Sequence, residues 1–171
     1  MKFWLLLLAL ACNAALAGDL KPIPVRPAPN LALPTLDGGQ TRLDQLRGRV
    51  VLVNFWAVWC PPCRKEMPSM ARLATKLGER PFNILGVNVG EDPDDIRAFL
   101  KQVPVNFPIL LDAEGEQLKP WQVFAFPTSY VLDKQGRLRL GLFGSIEWDE
   151  AETVAKLEAL LDEPATPPPA P

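Results

Sequence analysis

The sequence of 171 residues contains no histidine, only three cysteines and a single tyrosine. Imidazole is the usual base beside a catalytic serine or cysteine and the commonest zinc or copper ligand, so its absence argues against those catalysts and metal sites. The 18 basic and 20 acidic residues are intermixed, and no basic stripe would suit a phosphate backbone. We therefore expect no nucleic acid partner, no metal and no other cofactor.

The N-terminus lacks the roughly 20 consecutive apolar residues that a membrane-spanning helix needs. A basic start is followed instead by a short apolar run over residues 3–11 and by small residues up to Ala17, which is typical of an export signal. We predict that residues 1–17 form a signal peptide that directs the protein to the periplasm or another extracytoplasmic space. Two alternatives stay open: lipidation at Cys12, which would anchor the chain to a membrane, and an uncleaved anchor.

Proline-rich segments flank the central part of the chain. Residues 18–29 include the run Lys-Pro-Ile-Pro-Val-Arg-Pro-Ala-Pro, which favours an extended polyproline conformation and predicts a stiff linker. Residues 163–171 have a similar composition and predict a disordered tail with no packing role. A single globular domain is therefore predicted over residues 30–162.

Hydrophobic periodicity within that domain predicts alternating strands and helices. A Gly-rich turn at residues 37–39 predicts a β-hairpin over residues 31–43. Apolar runs and a second hairpin pattern predict strands at residues 50–56, 82–89, 107–111, 128–132 and 137–143. Helical spacing predicts helices at residues 62–77 and 148–161. A further helix, capped by Asp92 or Asp94, is predicted to run through Ile96, Phe99 and Leu100. This order is typical of an α/β fold, a mixed sheet with helices on both faces.

The run Trp59-Cys60-Pro61-Pro62-Cys63 follows the first apolar strand directly. Two cysteines separated by two residues can close a small disulfide, and the start of a helix favours the thiolate of Cys60. Cys63, one turn further along, can then attack the sulfur of Cys60 and release a bound substrate. A zinc site is disfavoured because the chain has neither a second pair of this spacing nor a histidine.

Two neighbours of the cysteine pair are further candidates. Glu66 lies three residues after Cys63, on the same helix face; if buried, it would have a raised pKa and could exchange a proton with that sulfur. The alternative is an ordinary solvated glutamate. Trp59 is predicted to shield one side of the nucleophile and to offer clients a flat apolar contact.

The chain resembles the thioredoxin superfamily, and within it the exported thiol-disulfide oxidoreductases of the TlpA/ResA type. The motifs that carry the resemblance lie between residues 28 and 161, at residues 54–68, 86–91, 105–108 and 126–128. The resemblance implies a thioredoxin fold with a central mixed sheet flanked by helices, an N-terminal β-hairpin extension and a TlpA-type insertion.

The resemblance also implies roles for individual residues. Pro127 would follow a cis peptide bond and leave the backbone of Phe126 free to pair with an extended client. Glu66 would be the buried carboxylate that tunes the cysteines, because Asn54 stands where ordinary thioredoxins have a buried aspartate. Glu91 would add a second negative charge nearby. Substrate contacts are thus expected from Trp59, Pro61, Pro62, Phe126 and Glu91.

The expected activity is the reduction of disulfides in client proteins, with cytochrome c maturation as one candidate pathway. In such a family the electrons would come from a membrane thiol-disulfide transporter of the DsbD or CcdA kind, and we expect a monomer. A disulfide oxidase or isomerase is an alternative, which the missing histidine between the cysteines disfavours. A non-catalytic scaffold that binds clients is another, and it would keep its function in a Cys60→Ala, Cys63→Ala double variant.

Overall fold

The computed structural model describes residues 19–165, so the predicted signal peptide lies outside the described residues. Eight strands form two sheets: β1 (Lys21–Pro27), β2 (Ala32–Pro34), β3 (Gln40–Arg42), β4 (Val50–Trp56), β5 (Phe82–Val89), β6 (Ile109–Asp112), β7 (Thr128–Leu132) and β8 (Arg137–Phe143). The helices are α1 (Pro61–Lys76), α2 (Pro93–Leu100) and α3 (Ala151–Asp162), with a 3₁₀ helix at Leu43–Leu46.

The larger sheet has six strands in the order β1-β8-β7-β4-β5-β6. Strands β4, β5 and β6 run parallel to one another, whereas β1, β8, β7 and β4 pair antiparallel in turn. All seven residues of β4 are buried, as its continuous apolar run predicts for a central strand. The predicted mixed sheet and thioredoxin fold are confirmed.

The two additions that the resemblance implies are both present. Strands β2 and β3 form the N-terminal hairpin, which joins the main sheet through the hydrogen bond from the amide of Leu36 to the carbonyl of Ile109, at 2.9 Å. Helix α2 and strand β6 are inserted between β5 and β7 in sequence and extend the sheet beyond β5. Asp92 caps α2, since its carboxylate accepts the amide of Asp94 at 2.8 Å.

The two faces of the sheet are covered differently. Apolar residues of α1, α2 and α3 pack on one face, around Met67, Phe99 and Leu157. The other face is covered by the hairpin, the 3₁₀ helix and the irregular segment 113–127, which contributes Trp121. The expectation of helices on both faces is therefore wrong for the α-helices, because residues 113–127 cover the second face without forming one.

The segment predicted as a linker, residues 18–29, is part of the sheet from Lys21 to Pro27. Its strand β1 pairs with β8, and Leu20 beside it is 1% exposed in the core. Lys156 holds this end of the chain, because its Nζ donates to Asp19 Oδ1 at 2.8 Å and to the carbonyl of Leu20 at 3.0 Å. An edge strand tolerates proline because its outer N–H groups have no ladder partner, so proline content did not exclude a strand here.

The start of the predicted C-terminal tail is also in contact with the domain. Glu163 accepts hydrogen bonds from Arg139 at 2.7 and 2.8 Å, and its backbone carbonyl accepts Nζ of Lys134 at 2.7 Å. The prediction that the tail has no packing role is therefore wrong for Glu163. Residues 166–171 lie outside the described residues.

Candidate active site

Cys60 and Cys63 form a disulfide at the start of α1, with an S–S distance of 2.04 Å. Cys60 is the N-cap of the helix, and its sulfur accepts the amide of Cys63 at 3.3 Å. Pro61 and Pro62 fill the first two helical positions, where a missing N–H leaves no hydrogen bond unmade. The amide of Cys63 and the positive end of the helix dipole meet at Cys60, so this position stabilises a thiolate when the pair is reduced.

The surface beside the disulfide is aromatic. Trp59 is 66% exposed, and its ring meets the edge of Phe126 with centroids 5.7 Å apart. Phe124 is 87% exposed on the segment that leads to Phe126, a feature that no sequence motif indicated. Cys60 itself is only 2% exposed. A partner molecule that reaches this sulfur therefore has to contact the aromatic side chains around it.

The peptide bond between Phe126 and Pro127 is cis, as the resemblance implies. Strand β7 begins at the next residue and pairs with β4, with Thr128 opposite Phe55, which brings Pro127 to the end of the sheet where α1 starts. The carbonyl of Pro127 accepts the amide of Gly144 at 2.9 Å. The backbone at Pro127 is therefore fixed both by the pairing of β7 with β4 and by the hydrogen bond from Gly144.

Glu66 is buried, with 1% of its surface exposed. Its Oε1 accepts a hydrogen bond from Nδ2 of Asn54 at 2.8 Å, and its Oε2 accepts one from Nε1 of Trp148 at 3.0 Å. Burial raises the pKa of Glu66 from 4.5 to about 7, although these two donors and the backbone of Ile146 oppose that rise. The expectation that a buried Glu66 has a raised pKa agrees with this geometry, and the solvated alternative does not.

Sequence reasoning identified Glu66 but missed two residues that hold it in place. Trp148 is fully buried, and the predicted helix start at this residue is wrong because α3 begins at Ala151. Ser69 connects α1 to Trp148, since its hydroxyl donates to the carbonyl of Glu66 at 2.7 Å and accepts the backbone amide of Trp148 at 3.0 Å. Only the i+3 spacing of Ser69 from Glu66 could have signalled this contact.

A cavity of about 230 Å³ reaches Glu66 from a side that neither cysteine lines. Its walls include Lys65 on α1, Leu20 at the start of the chain, Ile146 and Thr153. Ile146 also donates a backbone hydrogen bond to the Glu66 carboxylate, so the cavity and the carboxylate share this residue.

Glu91 contacts the loop that carries Trp59. Its Oε2 accepts the backbone amide of Val58 at 2.7 Å and Nδ2 of Asn88 at 2.6 Å. The half-buried carboxylate of Glu91 therefore fixes the backbone that leads into the cysteine pair. Glu91 is predicted to contact substrate, and the structure shows in addition that it holds the backbone of Val58.

Within residues 19–165 there is no cluster of three or more carboxylate, cysteine or histidine side chains suited to a metal ion. Over the same residues, no helix combines the length and apolar character needed to cross a membrane.

The site thus combines a disulfide of two closely spaced cysteines at the start of a helix with a cis-proline at the same end of a mixed sheet. This combination defines the thiol-disulfide oxidoreductases of the thioredoxin fold. Comparison with known proteins places the chain more closely. It belongs to the AhpC/TSA family, whose sequence model matches residues 24–140.

The relatives that it matches are named for the same chemistry. The chain is 34% identical over 129 residues to the thiol-disulfide oxidoreductase ResA of Bacillus thuringiensis, covering 75% of each protein. It is 35% identical to ResA of Bacillus subtilis, over 74% of this chain and 70% of that protein. The protein is thus similar to ResA and is a protein thiol-disulfide oxidoreductase, whose substrates in general are proteins that contain disulfides.

Solved structures agree with the fold. A Chlorobium tepidum structure described as that of a thiol:disulfide interchange protein DsbE superposes with a TM-score of 0.75 at 31% identity, covering 84% of this chain and 99% of that one. A second Chlorobium tepidum structure, of a thioredoxin family thiol:disulfide interchange protein, gives a TM-score of 0.70 at 26% identity with the same coverage.

Proposed function

We propose that this protein reduces disulfides in client proteins, with Cys60 as the nucleophile, Cys63 as the resolving thiol and Glu66 as the acid-base group. The observation that carries the proposal is the Cys60–Cys63 disulfide at the start of α1, with the buried carboxylate of Glu66 on the same helix. A disulfide with a purely structural role at this position would need no buried titratable group on the same helix.

The proposed cycle begins with the reduced protein. The Cys60 thiolate attacks one sulfur of a client disulfide, which forms a mixed disulfide and releases the first client thiolate. Cys63 then attacks the sulfur of Cys60, which releases the second client thiolate and leaves the Cys60–Cys63 disulfide. Two electrons have passed from the protein to the client, so a dithiol donor must reduce the protein before the next turn.

Glu66 handles the proton of Cys63 in this cycle. The Cys63 thiol must lose its proton before it can attack, and the Glu66 carboxylate accepts that proton. With a pKa of about 7, Glu66 can both take and return a proton near neutral pH, and the proposed path of that proton to solvent is the cavity that Glu66 helps to line. In the reverse direction Glu66 returns the proton to Cys63 when the disulfide is reduced.

The aromatic surface is the proposed client site. Trp59 and Phe126 contact apolar side chains that flank the client cysteine, and exposed Phe124 extends this surface. The backbone at Phe126, before Pro127, pairs with an extended client segment, as in β-strand addition. Pro61, Pro62 and Glu91 complete the rim of the site.

The direction proposed is reduction. A buried carboxylate on the helix face of Cys63 disfavours a second negative charge, which destabilises the thiolate of Cys63 and makes the dithiol a stronger reductant. The absence of a histidine between the cysteines also weakens the oxidase alternative. We further propose export through residues 1–17, or lipid anchoring at Cys12, and reduction by a membrane transporter of the DsbD or CcdA kind.

We also propose cytochrome c maturation as the candidate pathway and a monomer as the acting form. The similarity to ResA supports the thiol-disulfide exchange on which these finer assignments rest. The equilibrium reduction potential of the Cys60–Cys63 pair, measured on residues 18–171, tests the direction. We expect a value near or below about −230 mV, whereas a value near about −120 mV would indicate an oxidant and overturn the proposal.

A trapping experiment separates catalysis from scaffolding. A Cys63→Ala variant should accumulate a mixed disulfide between Cys60 and the client, because the resolving thiol is missing. The Cys60→Ala, Cys63→Ala double variant is the control and should form none. A double variant that still restored the cellular function would favour the non-catalytic scaffold.

A further inference from the structure

Trp148 reaches Glu66 from a distant part of the chain. It lies in the connection between β8 and α3, and its indole Nε1–H donates to Oε2 of Glu66 at 3.0 Å. Both side chains are buried, with Trp148 fully enclosed. A hydrogen bond to a charged group in such a place is stronger than one at the surface, because water does not compete for either partner.

The position of the Trp148 backbone is fixed separately from its indole ring. Its amide donates to Oγ of Ser69 at 3.0 Å, and the same hydroxyl donates to the carbonyl of Glu66 at 2.7 Å. The residue is therefore attached to α1 at two points, one through the backbone and one through the ring. This arrangement holds the indole N–H toward the carboxylate.

The contact is specific among the large buried tryptophans. Trp56 and Trp121 are also almost fully buried, yet within the described residues their indole nitrogens have no hydrogen-bond partner. Burial alone therefore does not bring an indole N–H to an acceptor in this protein. Of these three tryptophans, only Trp148 donates its indole N–H to a titratable group.

We propose that Trp148 is a positioning residue that sets the pH at which Glu66 exchanges its proton with Cys63. The inference rests on the acid-base role proposed for Glu66. The physical reason is that the indole N–H stabilises the charged carboxylate more than the protonated one, because the oxygens of a neutral carboxyl group are weaker acceptors. Among the contacts that lower the pKa of Glu66 against its burial, the hydrogen bond from Trp148 is the strongest, whereas the negative charge of Glu147 raises this pKa.

The test compares Trp148→Phe with Trp121→Phe. Both variants exchange a buried indole for a phenyl ring, but only the first removes a hydrogen bond. The carbon-13 resonance of the Glu66 carboxyl group, followed against pH in the oxidised protein, gives its titration midpoint. We expect Trp148→Phe to raise the midpoint by about one pH unit, a roughly tenfold gain in proton affinity, and Trp121→Phe to leave it unchanged.

The activity readout is the pH profile of insulin disulfide reduction by the reduced protein. Its midpoint should move upward with the Glu66 titration in Trp148→Phe and stay in place in Trp121→Phe. A purely structural role for Trp148 would lower the rate at every pH without moving the midpoint. Equal midpoints in the two variants would overturn the inference.

A measurement on the unaltered protein covers the case in which Trp148→Phe does not fold. The indole N–H resonance of Trp148 should shift with pH at the midpoint of Glu66, whereas that of Trp121 should not. An indole resonance of Trp148 that is constant through this midpoint would refute the coupling.

The failure of the inference can be told apart from the failure of the proposed function. If Glu66→Gln reduced insulin at the unaltered rate, the acid-base role of Glu66 would be wrong, whatever the titration shows. If Glu66→Gln slows reduction but Trp148→Phe moves no midpoint, only the role of Trp148 is wrong.

Discussion

Glu66→Gln should raise the free energy of unfolding above that of the unaltered chain by a larger amount at high pH than at low pH. The pKa of Glu66 is about 7 in the folded protein, against an ordinary value of 4.5 that applies after unfolding. Each unit of difference between the two states corresponds to about 1.4 kcal/mol. The buried carboxylate therefore lowers the free energy of unfolding by about 3 kcal/mol once it is fully ionised.

The sign of the effect follows from where the proton is bound. Below pH 4.5 the carboxyl group is protonated in both states and contributes nothing to the pH dependence. Between pH 4.5 and about 7 the folded state keeps the proton that the unfolded state releases, so stability falls as pH rises. Above that range the full penalty is present and no longer changes.

Glutamine is the suitable replacement because the site can satisfy its amide group. The oxygen of Gln at position 66 can still accept the indole N–H of Trp148. Its NH₂ group would face Asn54, whose Oδ1 is buried with no hydrogen-bond partner. Nδ2 of Asn54 also donates to Oγ of Ser129 at 2.9 Å. A rotation of the Asn54 amide by half a turn brings its oxygen to the new donor, and Oγ–H of Ser129 can then donate to that oxygen as well.

The assay is urea unfolding of the oxidised protein from pH 5 to pH 8, since the disulfide keeps both cysteines out of the titration. The advantage of Glu66→Gln over the unaltered chain should grow by about 2.5 kcal/mol across this range, because a little under 1 kcal/mol of the penalty is already present at pH 5. Glu79→Gln, at an exposed position on the surface, is the matched control and should show no such growth. A stability difference that is the same at pH 5 and pH 8 would refute the burial argument.

Three further outcomes follow from the structure. Trp59→Ala should raise KM for a protein disulfide several-fold while the urea midpoint stays unchanged, because the ring is mostly exposed; an unchanged KM would remove Trp59 from the client site. Glu91→Ala should lower the free energy of unfolding by about 1 kcal/mol and slow client reduction, since the amide of Val58 loses its acceptor. A chain that starts at residue 28 should be at least about 2 kcal/mol less stable in urea than one that starts at residue 18, because the buried side chain of Leu20 is lost, whereas a linker would contribute nothing.

The sequence was most informative where function depends on neighbours along the chain. The cysteine pair and Glu66 share one helix, so spacing alone placed the carboxylate on the face of Cys63. The strands β4, β5, β7 and β8 have the predicted bounds, because their apolar runs are bordered by clear turn residues. The cis bond at Pro127, in contrast, came only from the resemblance, since any X-Pro bond has roughly a 5% chance of being cis.

Other features depend on contacts that no local pattern encodes. Trp148 is 82 residues from Glu66, and its apolar side chain looks like any core residue of the following helix. Strand β1 has the composition of a polyproline linker, but pairing with β8 and the burial of Leu20 decide its structure. The segment 113–127 has no helical or strand period, although it covers one face of the sheet around Trp121.

The placement of the buried carboxylate on α1 separates two properties of the site. Trp59, Phe124 and Phe126 lie on the surface, where they can change client affinity without contact with Glu66. Asn54 and Trp148 contact Glu66 from the interior, where they can change its proton affinity without contact with a client. Substitutions on the surface should therefore act on KM, and substitutions at the interior donors should act on the pH profile. Because the two groups share no hydrogen bond, their effects on the activation free energy should add when the substitutions are combined.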